Sequence, residues 1–177
     1  MAIKNSHYIM SDPHIGHKGI IPYSRPQFDT LEEMNELILD NIRQLKPTDW
    51  LILLGDIAWN LAALELFASI ECNLRLVGGN HDNYHVLKYL KYFKKYNGCI
   101  STGLGPNNEY RCILTHIPVH PIELQRWHFN IHGHKHDHIM KDPEGYEDKR
   151  YINVCCEQLD YKPIKLGDLI DQQLQKF

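Results

Sequence analysis

Five short polar clusters hold most of the residues in this 177-residue chain that could do chemistry: "SDPHIGH" (11–17), "GDIAWN" (55–60), "GGNHD" (78–82), "LTHIP" (114–118) and "HGHKH" (132–136). They supply Asp12, His14, His17, Asp56, Asn80, His81, Asp82, His116, His132, His134 and His136. Carboxylate, amide and imidazole donors without thiolates suit manganese, iron, nickel or zinc in a hydrolytic site rather than a structural, cysteine-rich zinc. One ion takes only about four such groups, so the surplus points to two. In an extended chain, residues two apart face the same way; Asp12 with His14, and His134 with His136, could each grip a metal from one side. Gly55, Gly79 and Gly133 would let the backbone turn sharply and approach the metals closely.

Each cluster must be carried by something. Short β-compatible runs lead into them or contain them: "HYIM" (7–10), "DWLILLGD" (49–56), "LRLV" (74–77), "YRCILTH" (110–116) and "HFNIHGH" (128–134). Between them, "TLEEMNELILDNIRQLK" (30–46) has Thr30 and Glu33 at capping-box spacing, apolar residues at helical spacing and Pro47 as terminator, which predicts an amphipathic helix. Residues 61–70 and 83–96 are further helix candidates, 151–156 reads as a late strand, and 102–109 and 141–150 read as loops. Strands alternating with helices indicate an α/β fold, in which ligand sites gather beyond the carboxyl ends of the strands.

Composition sets outer bounds. With 43% hydrophobic and 23% charged residues, residues 1–177 are expected to form one globular domain. The net charge of -3, from Lys+Arg 19 against Asp+Glu 22, gives no bulk reason to expect a nucleic-acid coat protein or a membrane-surface binder. No run approaches the ~18 apolar residues of a membrane span, and "MAIKNSHYIM" lacks a signal-peptide core, so a cytoplasmic location is the expectation. The five cysteines show no C-x-x-C spacing and read as reduced core thiols.

Taken in order, Asp12-Pro13-His14, Gly55-Asp56, Gly79-Asn80-His81-Asp82, His116 and Gly133-His134-Lys135-His136 follow the pattern D-x-H, G-D, G-N-H-D, H and G-H-x-H. In this the chain resembles the calcineurin-like metallophosphoesterases, a family with a binuclear metal site. One block arises by chance; the ordered set of five is specific. The resemblance implies a four-layer α/β/β/α sandwich and phosphoester hydrolysis by a metal-bridging hydroxide. It implies that Asp12, His14 and His136 hold one divalent ion, that Asn80, His116 and His134 hold a second, and that Asp56 bridges both. Manganese is the expected ion, with iron, zinc or nickel as alternatives. His81 would assist the leaving group, with Asp82 placed to orient or polarise it. Two divalent cations, less the charges of Asp12, Asp56 and a bridging hydroxide, leave a net positive charge facing a phosphate anion.

Other residues have weaker signals. His17, and Arg25 in "SRPQF", are candidates for gripping the substrate phosphate, with ordinary structural pairing as the alternative. His85, His120, His128 and His138 read as structural or solvent-facing. His132, His134, His136 and His138 alternate, so the assignment could slip by two residues; Gly133 selects His134 and His136. Protein Ser/Thr phosphatases of the superfamily continue their G-D block to an arginine that grips phosphate, whereas this chain reads "GDIAWN". The sequence resembles instead the small, single-domain bacterial and phage branch, without room for the large extra domains of the superfamily's nucleases. Only Lys18, Arg25 and Lys135 place cations near the motifs, which favours a monoanionic diester: a cyclic nucleotide or another small nucleotide-derived phosphodiester. A small-molecule phosphomonoesterase is the first alternative. A nuclease is the second, resting on Lys88, Lys91, Lys94 and Lys95 among tyrosines, a pattern that otherwise marks a solvated helix face. A non-enzymatic interaction module on the same fold would be expected to have lost ligands or His81, and none is lost. An HD-domain hydrolase would be all-helical. No membrane partner is expected, and the sequence leaves the oligomeric state open.

Overall fold

Strand β2 (Trp50–Leu53) shows how the fold is layered. Side chains alternate across a strand, so Leu51 and Leu53 point into one core while Ile52 and, just past the strand, Leu54 point into another. Strand β1 (Tyr8–Met10) divides likewise, Met10 to the first core and Ile9 to the second. A strand apolar on both faces must be covered on both sides. The computed structural model, which describes residues 2–177, supplies that cover. Helices α1 (Ile20–Ser24), α2 (Leu31–Arg43) and α3 (Leu61–Glu65) contribute residues to the first core, and a second sheet closes the other.

The first sheet has the order β4-β3-β2-β1-β9, where β3 is Asn73–Val77, β4 is Lys95–Asn97 and β9 is Ile164–Lys165. Strands β1 to β4 pair in parallel and β9 is antiparallel to β1. The second sheet has the order β5-β6-β7-β8, from Ile100–Leu104, Tyr110–Thr115, Phe129–His132 and Tyr151–Asn153. Here β5 and β6 form an antiparallel hairpin, and β6, β7 and β8 run parallel. Helix α5 (Leu166–Leu174) packs Leu166, Leu169 and Ile170 into the core between the sheets. The outermost layer is thin: a 3-10 turn at Pro121–Gln125 places Leu124 against Ile113 and Tyr151. The result is the expected α/β arrangement, two sheets flanked by helices.

Several expectations shift. Helix α2 starts after Thr30, whose side chain accepts from the Glu33 N–H at 3.1 Å; the Glu33 carboxylate reaches one residue further back, to the Asp29 N–H at 3.1 Å. The helix expected over 61–70 is α3 continued by a 3-10 turn at Leu66–Ser69. The helix expected over 83–96 shrinks to α4 (Val86–Tyr89), because Lys95–Asn97 pair with Arg75–Val77 as an edge strand and Tyr89 and Phe93 are drawn into the core. The loop expected over 102–109 is half strand, since β5 pairs with β6 through Leu104 before Gly105 turns the chain at φ +88. Cys72, Cys112, Cys155 and Cys156 are buried free thiols and Cys99 is exposed. Among the described residues, no helix is long and apolar enough to cross a membrane.

Candidate metal centre and the cavity above it

Past the carboxyl ends of β1 and β2, the two chains stay zipped together. The N–H groups of Asp12, His14 and Ile15 donate to the carbonyls of Gly55, Asp56 and Ile57 at 3.1, 3.0 and 3.1 Å. The second sheet joins at the same place, where Ser11 N–H donates to Val154 O at 2.8 Å and Cys156 N–H to Ser11 O at 3.0 Å. All five polar clusters are thereby drawn to one rim.

The local backbone is not the extended one read from the spacing. Asp12, His14, Asp56, His134 and His136 all lie in the left-handed region, at φ 57, 49, 52, 68 and 49. Ordinary L-residues avoid that region, and Asp and His enter it more readily than most. Alternation therefore does not aim these side chains; left-handed turns do. One consequence is that His134 and His136 separate. The potential ligand atoms of Asp12, His14 and His136 gather within 4.8 Å of one another, and so do those of Asp56, His116 and His134. Asn80 Oδ1 joins the second group, 2.8 Å from His116 Nε2. One oxygen of Asp56, Oδ2, lies 3.7 Å from His14 Nε2 and 3.3 Å from His116 Nε2, between the two groups. His132 turns away, with its Nδ1 2.8 Å from the Gly133 carbonyl, and His138 stands exposed at the rim.

Each carboxylate spends one oxygen on the protein and leaves the other facing the centre. Asp12 Oδ2 accepts from Ser11 Oγ, from the His134 N–H at 2.8 Å and from Cys155 Sγ at 3.2 Å. Asp56 Oδ1 accepts the His81 N–H at 2.8 Å. Burial pushes the Asp12 carboxyl up, but His14, His116 and Ser11 outweigh it and hold it below the usual range. Burial disfavours a charged His116, yet Asp56 and Asp12 outweigh it and raise its pKa to about 9. Asp12 Oδ1 and His14 Nε2 are buried and, among the described residues, have no hydrogen-bond partner. Buried polar atoms rarely stay unpartnered. An oxygen and an imidazole nitrogen left open side by side are donors suited to a divalent cation, so the residues present fit the expected ions.

Gly79 and Gly133 serve close approach rather than sharp turning: a Cβ on Gly79 would collide with the Asp56 carboxylate, and one on Gly133 with Ser11 and Asp12. Gly55 does turn, at φ +87, and a Cβ there would meet the Gly79 nitrogen at 2.6 Å.

Above the centre opens a cavity of about 420 Å³ whose walls include His14, His17, Tyr23, Asp56, His81, His134, Lys135 and His136. His81 is beside His14, ring centroids 5.7 Å apart, and His17 lies against Trp59. Burial and the neighbouring His14, His81 and Arg25 lower the His17 pKa to about 4.

Two expected roles change. Arg25 does not reach the cavity: it is fully buried, and its guanidinium donates to Glu157 Oε1 at 2.8 Å, to Pro13 O at 2.9 Å and to Asp12 O. It props the Asp12-Pro13-His14 turn from behind. Asp82 does not orient the His81 ring; its carboxylate accepts the N–H groups of Asp56 (2.9 Å), Ile57 (3.1 Å) and Gly79 (2.8 Å), tying two site loops together. The sequence reading missed Glu157, which accepts from Arg25 and sits 3.1 Å from His136 Nδ1, fixing that ring as carboxylates commonly do behind metal-binding histidines. No pattern in "CCEQ" marks it. His85, His120 and His128 accept backbone N–H groups of Leu87, Ile122 and Arg111, in keeping with structural roles.

The model of the calcineurin-like phosphoesterase family matches residues 8–171. The chain belongs to that family. It is also 32% identical over 177 residues to the uncharacterized protein MJ1445 of Methanocaldococcus jannaschii, covering 96% of this chain and 91% of that one. Its fold is similar to the crystal structure of AQ665 from Aquifex aeolicus, a protein of unknown function, with a TM-score of 0.68, 27% identity, and 96% and 97% of the two chains covered. A novel archaeal phosphodiesterase gives a TM-score of 0.47 at 20% identity, over 85% and 84% of the chains. The match over nearly the whole chain agrees with a phosphoester-hydrolase fold bearing candidate metal-ligand groups.

Proposed function

We propose that residues 1–177 act as one domain, a two-metal phosphoesterase that hydrolyses a small phosphodiester, a cyclic nucleotide or another nucleotide-derived ester. The observation that carries this reading is the place of Asp56 Oδ2, between two donor groups at the foot of an open cavity. Asp12, His14 and His136 would hold one cation; Asn80, His116 and His134 the other; Asp56 both. Two bound divalent ions, manganese foremost, supply Lewis-acid charge and make water a nucleophile at neutral pH.

The chain's own residues do the rest. Water adds to phosphorus, the P–O bond to the leaving alcohol breaks, and His81 gives the departing oxygen a proton. Its backbone N–H, anchored on Asp56, keeps the imidazole at the cavity wall. His17 and Lys135 line the same wall and would contact the phosphoryl group and its substituents. Withdrawal of Arg25 into the interior leaves Lys135 as the cationic side chain at the cavity. A monoanionic diester needs less positive charge than a dianionic monoester. Lys88 and Lys91 instead flank a small groove with Leu61 and Glu65, apart from the cavity walls, which weighs against a nuclease reading. The test compares kcat/KM for bis-nitrophenyl phosphate and nitrophenyl phosphate with saturating manganese; a clear preference for the monoester reverses the assignment to phosphomonoesterase.

A further inference from the structure

Trp59 has an unusual setting for the largest apolar side chain. It is 47% exposed, yet its backbone is fixed: the main-chain N–H of Trp59 donates to Ile15 O at 2.9 Å, and the next residue, Asn60, caps α3 by accepting the Ala63 N–H at 2.9 Å. The indole lies flat on the His17 ring, centroids 3.8 Å apart and planes 5° from parallel. One face of the indole is thus covered, while nearly half of the side chain meets solvent. Core packing explains the first fact and not the second, because a tryptophan serving only to bury His17 gains nothing from standing in water.

The position relative to the chemistry gives the open surface a purpose. Trp59 is 5.5 Å from the His81 ring, centroid to centroid. With His81 as the proton donor to the departing oxygen, Trp59 stands within reach of the group that oxygen carries. Tyr23, 72% exposed, is 6.2 Å from His136 and lines the cavity with His81, but among the described residues no ring backs it as His17 backs Trp59.

We propose that Trp59, backed by His17, is a specificity-determining platform that stacks a flat aromatic ring carried by the leaving group, so that the substrate is a nucleoside-type phosphoester. The inference rests on the phosphoesterase reading above, since that reading fixes which side the leaving group occupies. Stacking needs no base-specific hydrogen bonds, so the platform favours aromatic over aliphatic leaving groups and discriminates little among bases. Base–aromatic stacking of this kind strengthens binding roughly ten- to a hundredfold per ring.

The experiment uses the full chain loaded with manganese and compares adenosine 5′-monophosphate with ribose 5-phosphate, which share the phosphate and sugar and differ in the base. Binding is followed by calorimetry and by the indole N–H resonances of the three tryptophans, with a diamagnetic magnesium-loaded sample for the spectra. The expected result is at least tenfold tighter binding of the adenosine compound, an upfield shift confined to the Trp59 signal, loss of the preference in Trp59→Leu, and its retention in Trp59→Phe. Unchanged metal content and melting temperature in Trp59→Leu separate recognition from a structural role. Equal binding of the two ligands by the parent protein, or a preference that survives Trp59→Leu, overturns the platform. Failure of the parent protein to hydrolyse bis-nitrophenyl phosphate or nitrophenyl phosphate would instead count against the phosphoesterase reading, so the two failures are distinct.

Discussion

Replacing Arg25 with methionine separates a residue that grips substrate from one that holds the scaffold. The side chain is fully buried and donates to Glu157 Oε1 at 2.8 Å, to the carbonyls of Pro13 and Asp12, and to Met34 Sδ at 3.4 Å. Methionine keeps most of the length and removes every donor. Glu157, itself only 7% exposed, would then face His136 alone. Breaking a buried ion pair from one side costs about 3–5 kcal/mol, because the remaining charge is stranded out of water. Against a typical total of about 5–15 kcal/mol, that is a large fraction of the fold's stability. Urea denaturation of metal-free Arg25→Met should therefore show a loss of at least ~3 kcal/mol. The double variant Arg25→Met/Glu157→Gln, which removes the stranded charge, should recover part of it. Among molecules still folded, the loosened Asp12-Pro13-His14 turn should bind manganese more weakly, with little change in KM once metal is saturating. A variant as stable as the parent but with a sharply raised KM for phosphate esters would refute this account and return Arg25 to the substrate.

Asp56→Asn should lose metal and turnover together, since its carboxylate stands between both donor groups; two metals retained by elemental analysis would exclude the bridging role. His81→Ala should keep both metals and lose about 10²- to 10⁴-fold in kcat, the range of a general acid. That loss should shrink for nitrophenyl relative to alkyl leaving groups; equal losses would assign His81 some other task. Asp82→Ala strands three backbone N–H groups at about 1–3 kcal/mol for each that water cannot reach. It should lower the melting temperature as well as activity, whereas a purely kinetic loss would mean that Asp82 acts on His81 after all.

What the sequence discloses here depends on whether the signal is local. The donor residues of the centre are legible because close-packed glycines and ligand types fall within a few adjacent residues, as at Gly79-Asn80-His81 and Gly133-His134; the left-handed turns that aim the side chains are not. Helix α2 is legible because its cap and apolar stripe repeat within its own length. Glu157 and the withdrawal of Arg25 are not, because their meaning arises only when residues 132 apart in sequence meet. Strands β4 and β5 are hidden for a related reason: "KYN" and "ISTGL" have weak strand patterns of their own and are fixed by pairing with β3 and β6. In the stretch expected as a helix over 83–96, Tyr89 and Phe93 are drawn into the core instead.

The left-handed backbone at Asp12, His14, Asp56, His134 and His136 also shapes how this protein can decay. A left-handed L-residue is typically disfavoured by roughly 1–2 kcal/mol, and glycine is free of that penalty. At these positions a change to glycine relaxes the backbone while deleting a donor. Fold and chemistry are therefore set against each other at five points of one small surface. A lineage released from the need to turn over substrate has a downhill path open to it, in which ligands are replaced by glycine and the chain grows steadier as it falls silent.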